Sequence, residues 1–175
     1  MIKHNILPFI PAAILPYIEI NEEKWSTELR YLTIVFVELG IPLSEANDDL
    51  GLAKIQKVTQ MVQKCVYMYE GSVNKLLMNE HHTVIIVVFG LPPLVHQDDA
   101  GRAILMSLLF IEEFQKSSIE CSIGVATGTV FSGVIGIVRG RRDYSVFGDT
   151  VNLGVRLMQQ ARTEVDNSKK VLCCQ

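Results

Sequence analysis

The chain carries no excess of positive charge: 16 lysines and arginines stand against 19 aspartates and glutamates, a formal net charge of -3. Without a basic field it is not built to wrap nucleic acid or coat an anionic membrane, because both tasks rest on many phosphate-neutralising cations. Metal-binding cysteine pairs are missing too. Cys65, Cys121, Cys173 and Cys174 lack ligand spacing, so a reduced, intracellular compartment is the simpler reading. The closing Cys173-Cys174-Gln175 forms no prenylation box, since no cysteine lies four from the end. No apolar run is long enough to cross a bilayer: Ile6–Ile20 is short and interrupted by Pro8, Pro11 and Pro16. Those prolines also argue against a secretory signal. Gly124, Gly128, Gly133 and Gly136 follow no strand-to-helix turn and form no dinucleotide fingerprint; they suit bends and close backbone approach in a sheet. Ser132 has no triad context. Internal repeats and low-complexity tracts are absent.

What remains is a chain of 175 residues, 49% hydrophobic, able to bury one sizeable core as a single domain. Residues 1–30 read as a Pro-interrupted docking linker, 31–165 as the domain and 166–175 as a tail. Tyr31–Val37 is β-branched and aromatic without alternation, as expected of a central strand buried on both faces. A helix follows over about 48–69, with Leu52, Ile55, Val58, Val62 and Val66 near a 3.6 period and Gly71 ending it. Ser72–Met78 and Thr83–Phe89 predict a hairpin across the polar Asn79–His82. Asp98 and Asp99 open a second helix, to about Gln115, and two further strands, Ile119–Ala126 and Thr129–Ile135, flank Thr127-Gly128. This order predicts an α+β fold, a ferredoxin-like βαββαβ sandwich with helices on one face of an antiparallel sheet.

The most telling segment is Tyr144-Ser-Val-Phe-Gly-Asp-Thr-Val-Asn-Leu-Gly-Val-Arg-Leu-Met158. It reads as a strand, a tight turn at Gly148 and a helix opened by Asp149 and Thr150, whose oxygens suit the orphan N–H groups of a first turn. Asn152 and Arg156 then project from one helix face, an amide for a sugar or base edge beside a guanidinium for phosphate. The string resembles the signature of the class III nucleotidyl cyclases, and the order of elements is similar to that fold. Within the family the chain resembles the second catalytic (C2) domain of soluble, bicarbonate-responsive adenylyl cyclases. Trp25–Val37, Gly71–Met78, Cys121–Gly136 and Arg142–Met158 carry the likeness, which covers roughly residues 8–162. The family domain continues with further strands after this helix, whereas here the chain stops shortly after Val165. The C-terminal strands are therefore expected to be missing and a sheet edge unmade or borrowed from a partner.

The resemblance implies a reaction between two domains packed head to tail. The ribose 3′ oxygen attacks the α-phosphate and expels pyrophosphate, one domain holding two metal ions on two aspartates and the other gripping the nucleotide. The gripping half is largely present. Lys75 falls where adenylyl cyclases place a lysine that donates to adenine; guanine-selective members use Glu there, so Lys75 implies ATP. Ser145 takes the partner position that accepts from the adenine amino group. Asn152 would orient the ribose and Arg156 would stabilise phosphate charge. The metal-holding half is degraded. Glu38 replaces the first aspartate, with its reach altered by about 1.5 Å, and Asn79, a poor Mg²⁺ ligand, replaces the second. Glu80 is adjacent, yet a one-residue shift turns the side chain to the other face. Mg²⁺ or Mn²⁺ is thus expected on a C1-type partner domain, and the chain alone should be inactive.

Other candidates carry blander readings: His81-His82 as a solvated hairpin turn, His96 with Asp98 and Asp99 as helix capping, and Arg139, Arg141 and Arg142 as a solvated loop, with the triphosphate or a partner as the alternative contact. Two functions result. One is an ATP-binding cyclase half; the other is a catalytically inactive interaction module, favoured by Glu38, Asn79 and by Gly154 where the family prefers Ala. A cytoplasmic setting is expected, and a ciliary or axonemal one by analogy alone.

Overall fold

The computed structural model describes residues 28–136, 142–163 and 171–174. Most of the expected linker, along with Arg139 and Arg141, lies outside the described residues. Strand β1 (Glu28–Leu39) leads through a short 3-10 turn (Leu43–Asn47) into helix α1 (Asp49–Met68). The hairpin β2 (Ser72–Met78) and β3 (Thr83–Phe89) follows, then α2 (Asp99–Lys116) and the long strand β4 (Cys121–Gly136). The chain closes with β5 (Arg142–Phe147), α3 (Asp149–Thr163) and β6 (Val171–Cys174). The sheet order is β2-β3-β1-β4-β5, antiparallel throughout, with β6 alone pairing in parallel to β4.

β1 is central and buried on both sides, as its unbroken apolar run predicts. Val35, Val37 and Leu39 face one cluster with Val58, Val62 and Val66 of α1 and Ala103, Met106, Phe110 and Phe114 of α2. Leu32, Ile34 and Phe36 face a second cluster with Val130, Val146 and Met158. Helices therefore cover both faces rather than one, since α3 lies opposite α1 and α2. The alternation of β1 leaves an apolar side chain on each face, and a sheet so composed needs two covers.

Local chemistry sets the element ends. Asp48 caps α1 by accepting from the Gly51 N–H at 2.7 Å. At its other end the left-handed residue is Glu70 (φ 60), and Gly71 N–H returns to Val66 O at 2.9 Å. Asp98 does not cap α2: its carboxylate takes the Arg102 Nε–H at 2.9 Å, while Asp99 accepts from the His96 N–H at 3.1 Å. The Arg102 hydrogen bond holds the Asp98 carboxyl below the usual carboxylate range. Gly148 makes the β5–α3 turn at φ 141, a conformation that L side chains rarely adopt. Thr150 does not cap α3, because its hydroxyl donates to Thr129 O at 3.3 Å.

Three boundaries differ from expectation. β1 starts at Glu28, so Glu28–Arg30 belong to the sheet. Thr127-Gly128 does not divide β4, which runs unbroken and pairs with β1 along twelve consecutive registers, Glu28↔Ser132 to Leu39↔Cys121. The expected tail contains β6, which takes up Ile123–Ala126 of the β4 edge.

Candidate nucleotide site

Two departures from regular pairing build the site. The first is a bulge: the β2–β3 register shifts between Val73 and Lys75, which leaves Asn74 out of the ladder and pairs Lys75 with Ile86. The second is the length of β4, whose far half (Phe131–Gly136) carries β5. Together they bring the two ends of the sheet path into contact. Lys75 Nζ lies 3.1 Å from Asp143 Oδ2, and Asn74 Nδ2 donates to Tyr144 O at 3.4 Å. Ser145, the next residue along β5, is buried opposite Gly133.

The Tyr144 carbonyl can only accept, which fixes the orientation of the Asn74 amide. Its other end, Oδ1, is buried and has no hydrogen-bond partner among the described residues. A buried orphan acceptor costs about 1–3 kcal/mol relative to a satisfied one. Neither Asn74 nor Asp143 stood out in the sequence, because nothing local marks a bulge or a contact between opposite sheet edges.

α3 holds the second half of the candidate set. Gly154, Met158 and Ala161 are its buried face, while Asn152 and Arg156 are exposed on the other. The buried face sits very close to the sheet. A Cβ on Gly124 would lie 2.3 Å from Gly154 O, and one on Gly154 would lie 2.9 Å from Phe36 Cδ2. Glycine at 154 is thus matched to the large Phe36 ring beneath it. No hydrogen bond or ion pair among the described residues joins Asn152 or Arg156 to Lys75.

The two metal positions are not free. Glu38 is buried, and its Oε1 meets Arg162 Nη1 at 2.8 Å and His82 Nδ1 at 3.2 Å. Asn79 Oδ1 accepts from the backbone N–H groups of His81 and His82, and Asn79 Nδ2 lies 2.9 Å from His82 Nε2. His82 is therefore a bridge between Glu38 and Asn79, not the solvated turn residue its sequence context implied; His81 and Glu80 are exposed. His96 likewise pairs with Glu70 and Asp99. Among the described residues no group of three or more His, Cys, Asp or Glu could hold a metal ion. Glu38 and Asn79 do not fit a divalent cation as they stand.

One apolar feature lies beside the site. Leu29, Phe131 and Phe147 are direct cross-strand neighbours on β1, β4 and β5, and all three are exposed. No helix among the described residues is long and apolar enough to cross a membrane.

This antiparallel sheet with helices on both faces has the fold of a class III cyclase domain. Residues 53–172 match the adenylate and guanylate cyclase catalytic domain family, and the chain belongs to it. The match begins beyond Glu38. Adenylate cyclase type 10 of Homo sapiens is 30% identical over 160 residues, and that of Mus musculus 35% over 158. These alignments take in 90% and 88% of this chain but only 10% of either relative, so the chain spans about a tenth of their length. A bacterial light-regulated adenylyl cyclase superposes with a TM-score of 0.71 at 20% identity, over 91% of this chain and 49% of that one. The adenylyl cyclase CyaB from P. aeruginosa gives 0.64 at 23%, over 77% and 74%. At those identities the structural likeness establishes the fold alone.

Proposed function

We propose that this chain is a C2-type adenylyl cyclase half, which binds ATP and completes a site with a partner domain that holds the divalent cations. The observation that carries the reading is the meeting of Lys75 with β5 at Asp143, next to the segment bearing Ser145. A primary ammonium can donate to a ring nitrogen of adenine, and the Ser145 hydroxyl can accept from its amino group. Asn152 and Arg156, one turn apart on the exposed face of α3, contribute the ribose and phosphate contacts. A guanidinium aimed at the phosphates stabilises charge that grows as the α–β phosphate bond breaks. Mg²⁺ or Mn²⁺ belongs to the partner, because Glu38 and Asn79 are committed elsewhere. The exposed row Leu29, Phe131 and Phe147 supports docking of a second cyclase domain on this side of the sheet.

The test is reconstitution. The chain, a metal-competent C1-type domain, ATP and Mn²⁺ together should produce cyclic AMP, the chain alone should not, and Arg156→Ala should remove at least about 100-fold of the activity. Full activity of the chain by itself, or of the mixture with Arg156→Ala, refutes the assignment. A second reading is favoured by the occupied Glu38 and Asn79: a catalytically inactive interaction module that keeps only the docking face. It predicts a stable complex with the partner domain and no ATP binding.

A further inference from the structure

We infer that the Arg162 guanidinium is a resident cation at the pole formed by Glu38 and Asn79, and that it keeps divalent metal out of this end of the fold. Arg162 lies six residues beyond Arg156, outside the signature, and nothing about its sequence position suggested a role.

Glu38 is 6% exposed, and a carboxylate so placed needs a compensating charge and hydrogen bonds. The partners can be assigned atom by atom. Asn79 Oδ1 takes two backbone N–H groups, which can only donate, so Asn79 Nδ2 is the end that faces His82. Nδ2 is a donor, so His82 Nε2 accepts it, and the imidazole proton resides on Nδ1, aimed at Glu38 Oε1. His82 thus orients the carboxylate, and the formal charge that balances Glu38 comes from Arg162, 2.8 Å away on the same oxygen. The clamp ties β1, the β2–β3 turn and the last turn of α3 together. Glu38 is its buried member, whereas the Arg162 side chain is 61% exposed and Asn79 is also open to solvent.

A divalent ion at this pole would need anionic oxygens at about 2.0–2.6 Å. Glu38 is the only carboxylate in the clamp and already carries a cation; the Asn79 oxygen is consumed by the hairpin backbone. Restoring aspartates at 38 and 79 would therefore not restore a metal site while Arg162 remains. The proposal does not depend on ATP binding, and its readout is metal affinity of the chain alone.

Mn²⁺ binding followed by electron paramagnetic resonance tests it on the full chain in four forms: wild type, Arg162→Gln, Glu38→Asp/Asn79→Asp, and the triple variant. The wild type and Arg162→Gln should bind no Mn²⁺ at the pole, and the double variant should bind at least tenfold more weakly than the triple. Equal affinity of double and triple variants overturns the proposal, as does a triple variant that folds and binds none. Should the triple variant fail to fold, thermal unfolding of Glu38→Gln, Arg162→Ala and their combination decides. Strongly non-additive losses support the clamp, and additive losses overturn it.

Discussion

Adding a single methyl group at Gly154 probes how α3 is seated, and hence how deep Asn152 and Arg156 stand. The new Cβ would lie 2.9 Å from Phe36 Cδ2, 3.3 Å from Phe36 Cε2 and 3.8 Å from Ala126 Cβ. Carbon pairs pack best at about 3.5–4.0 Å, so the shortest contact overlaps by about 0.6 Å or more. Phe36 is buried in the α3 face of the sheet and has no open side to turn into, so the helix must rise or the ring must leave its rotamer. Overpacking of this kind costs about 1–3 kcal/mol. Against it stands the helix propensity of alanine over glycine, about 1 kcal/mol. Gly154→Ala should therefore be destabilising by up to about 2 kcal/mol, a fall in urea midpoint of up to roughly 1 M. Phe36→Leu makes room. In that background Gly154→Ala should become stabilising by most of its propensity, a coupling of about 1–3 kcal/mol between the two positions. Urea unfolding followed by far-ultraviolet circular dichroism measures both. A wild-type background in which Gly154→Ala gains the full propensity, with additive double-variant behaviour, would refute the fit between Gly154 and Phe36.

Further predictions follow from the same geometry. Gly124→Ala should cost more than Gly154→Ala, about 3 kcal/mol or above, because its Cβ would meet backbone atoms, Gly154 O at 2.3 Å and Met158 N at 2.4 Å; a loss below about 1 kcal/mol contradicts this close approach. Burial pushes the Cys65 thiol up from its ordinary range, with Glu113 adding to the rise, whereas Cys173 is exposed. A native disulfide-exchange reagent should then label Cys173 first and Cys65 only on unfolding, and equal rates would count against the burial argument. Since the folded state holds the Cys65 proton longer than the unfolded one, its contribution to stability is full below the ordinary thiol pKa and declines as pH rises through it. Asp98 behaves oppositely. Arg102 depresses its carboxyl, so that contribution is present above the ordinary carboxylate pKa and lost as pH falls below it. Asp98→Asn should flatten the acid limb of a melting-temperature profile slightly at low salt and not at high salt; an effect insensitive to salt would contradict an exposed ion pair.

Much of the framework was legible because it is written in short-range chemistry. The unbroken apolar run of β1, the polar Asn79–His82 turn and Gly148 before an Asp-Thr pair each report a local requirement, and the elements fall where those signals stand. The division expected at Thr127-Gly128 was misleading for a physical reason. Glycine there leaves room for Thr150, whose Oγ1 would lie 2.6 Å from a Cβ, so it marks close approach of α3 and not the end of a strand. β6 was hidden because four residues, Val171–Cys174, are too few to show alternation. The contacts that define the site were out of reach altogether. Lys75 with Asp143, Asn74 with Tyr144 and Glu38 with Arg162 each join elements far apart in the chain, and only the bulge and the length of β4 bring the first two together. Residue types at Glu38 and Asn79 indicated a weak metal site; that the pole is filled from within could be seen only in three dimensions.

Joint reading of one adenine nucleotide by Lys75, Ser145, Asn152 and Arg156 is the proposal on which the function rests. It is tested most directly by the affinity of 3′-deoxy ATP against 3′-deoxy GTP for the chain paired with a metal-bearing cyclase domain. A preference for the adenine analogue is expected, which Lys75→Glu abolishes or inverts, with Asn152→Ala and Arg156→Ala weakening both analogues alike. Equal affinity for the two nucleotides that Lys75→Glu leaves unchanged, or no binding by the paired domains, would contradict it.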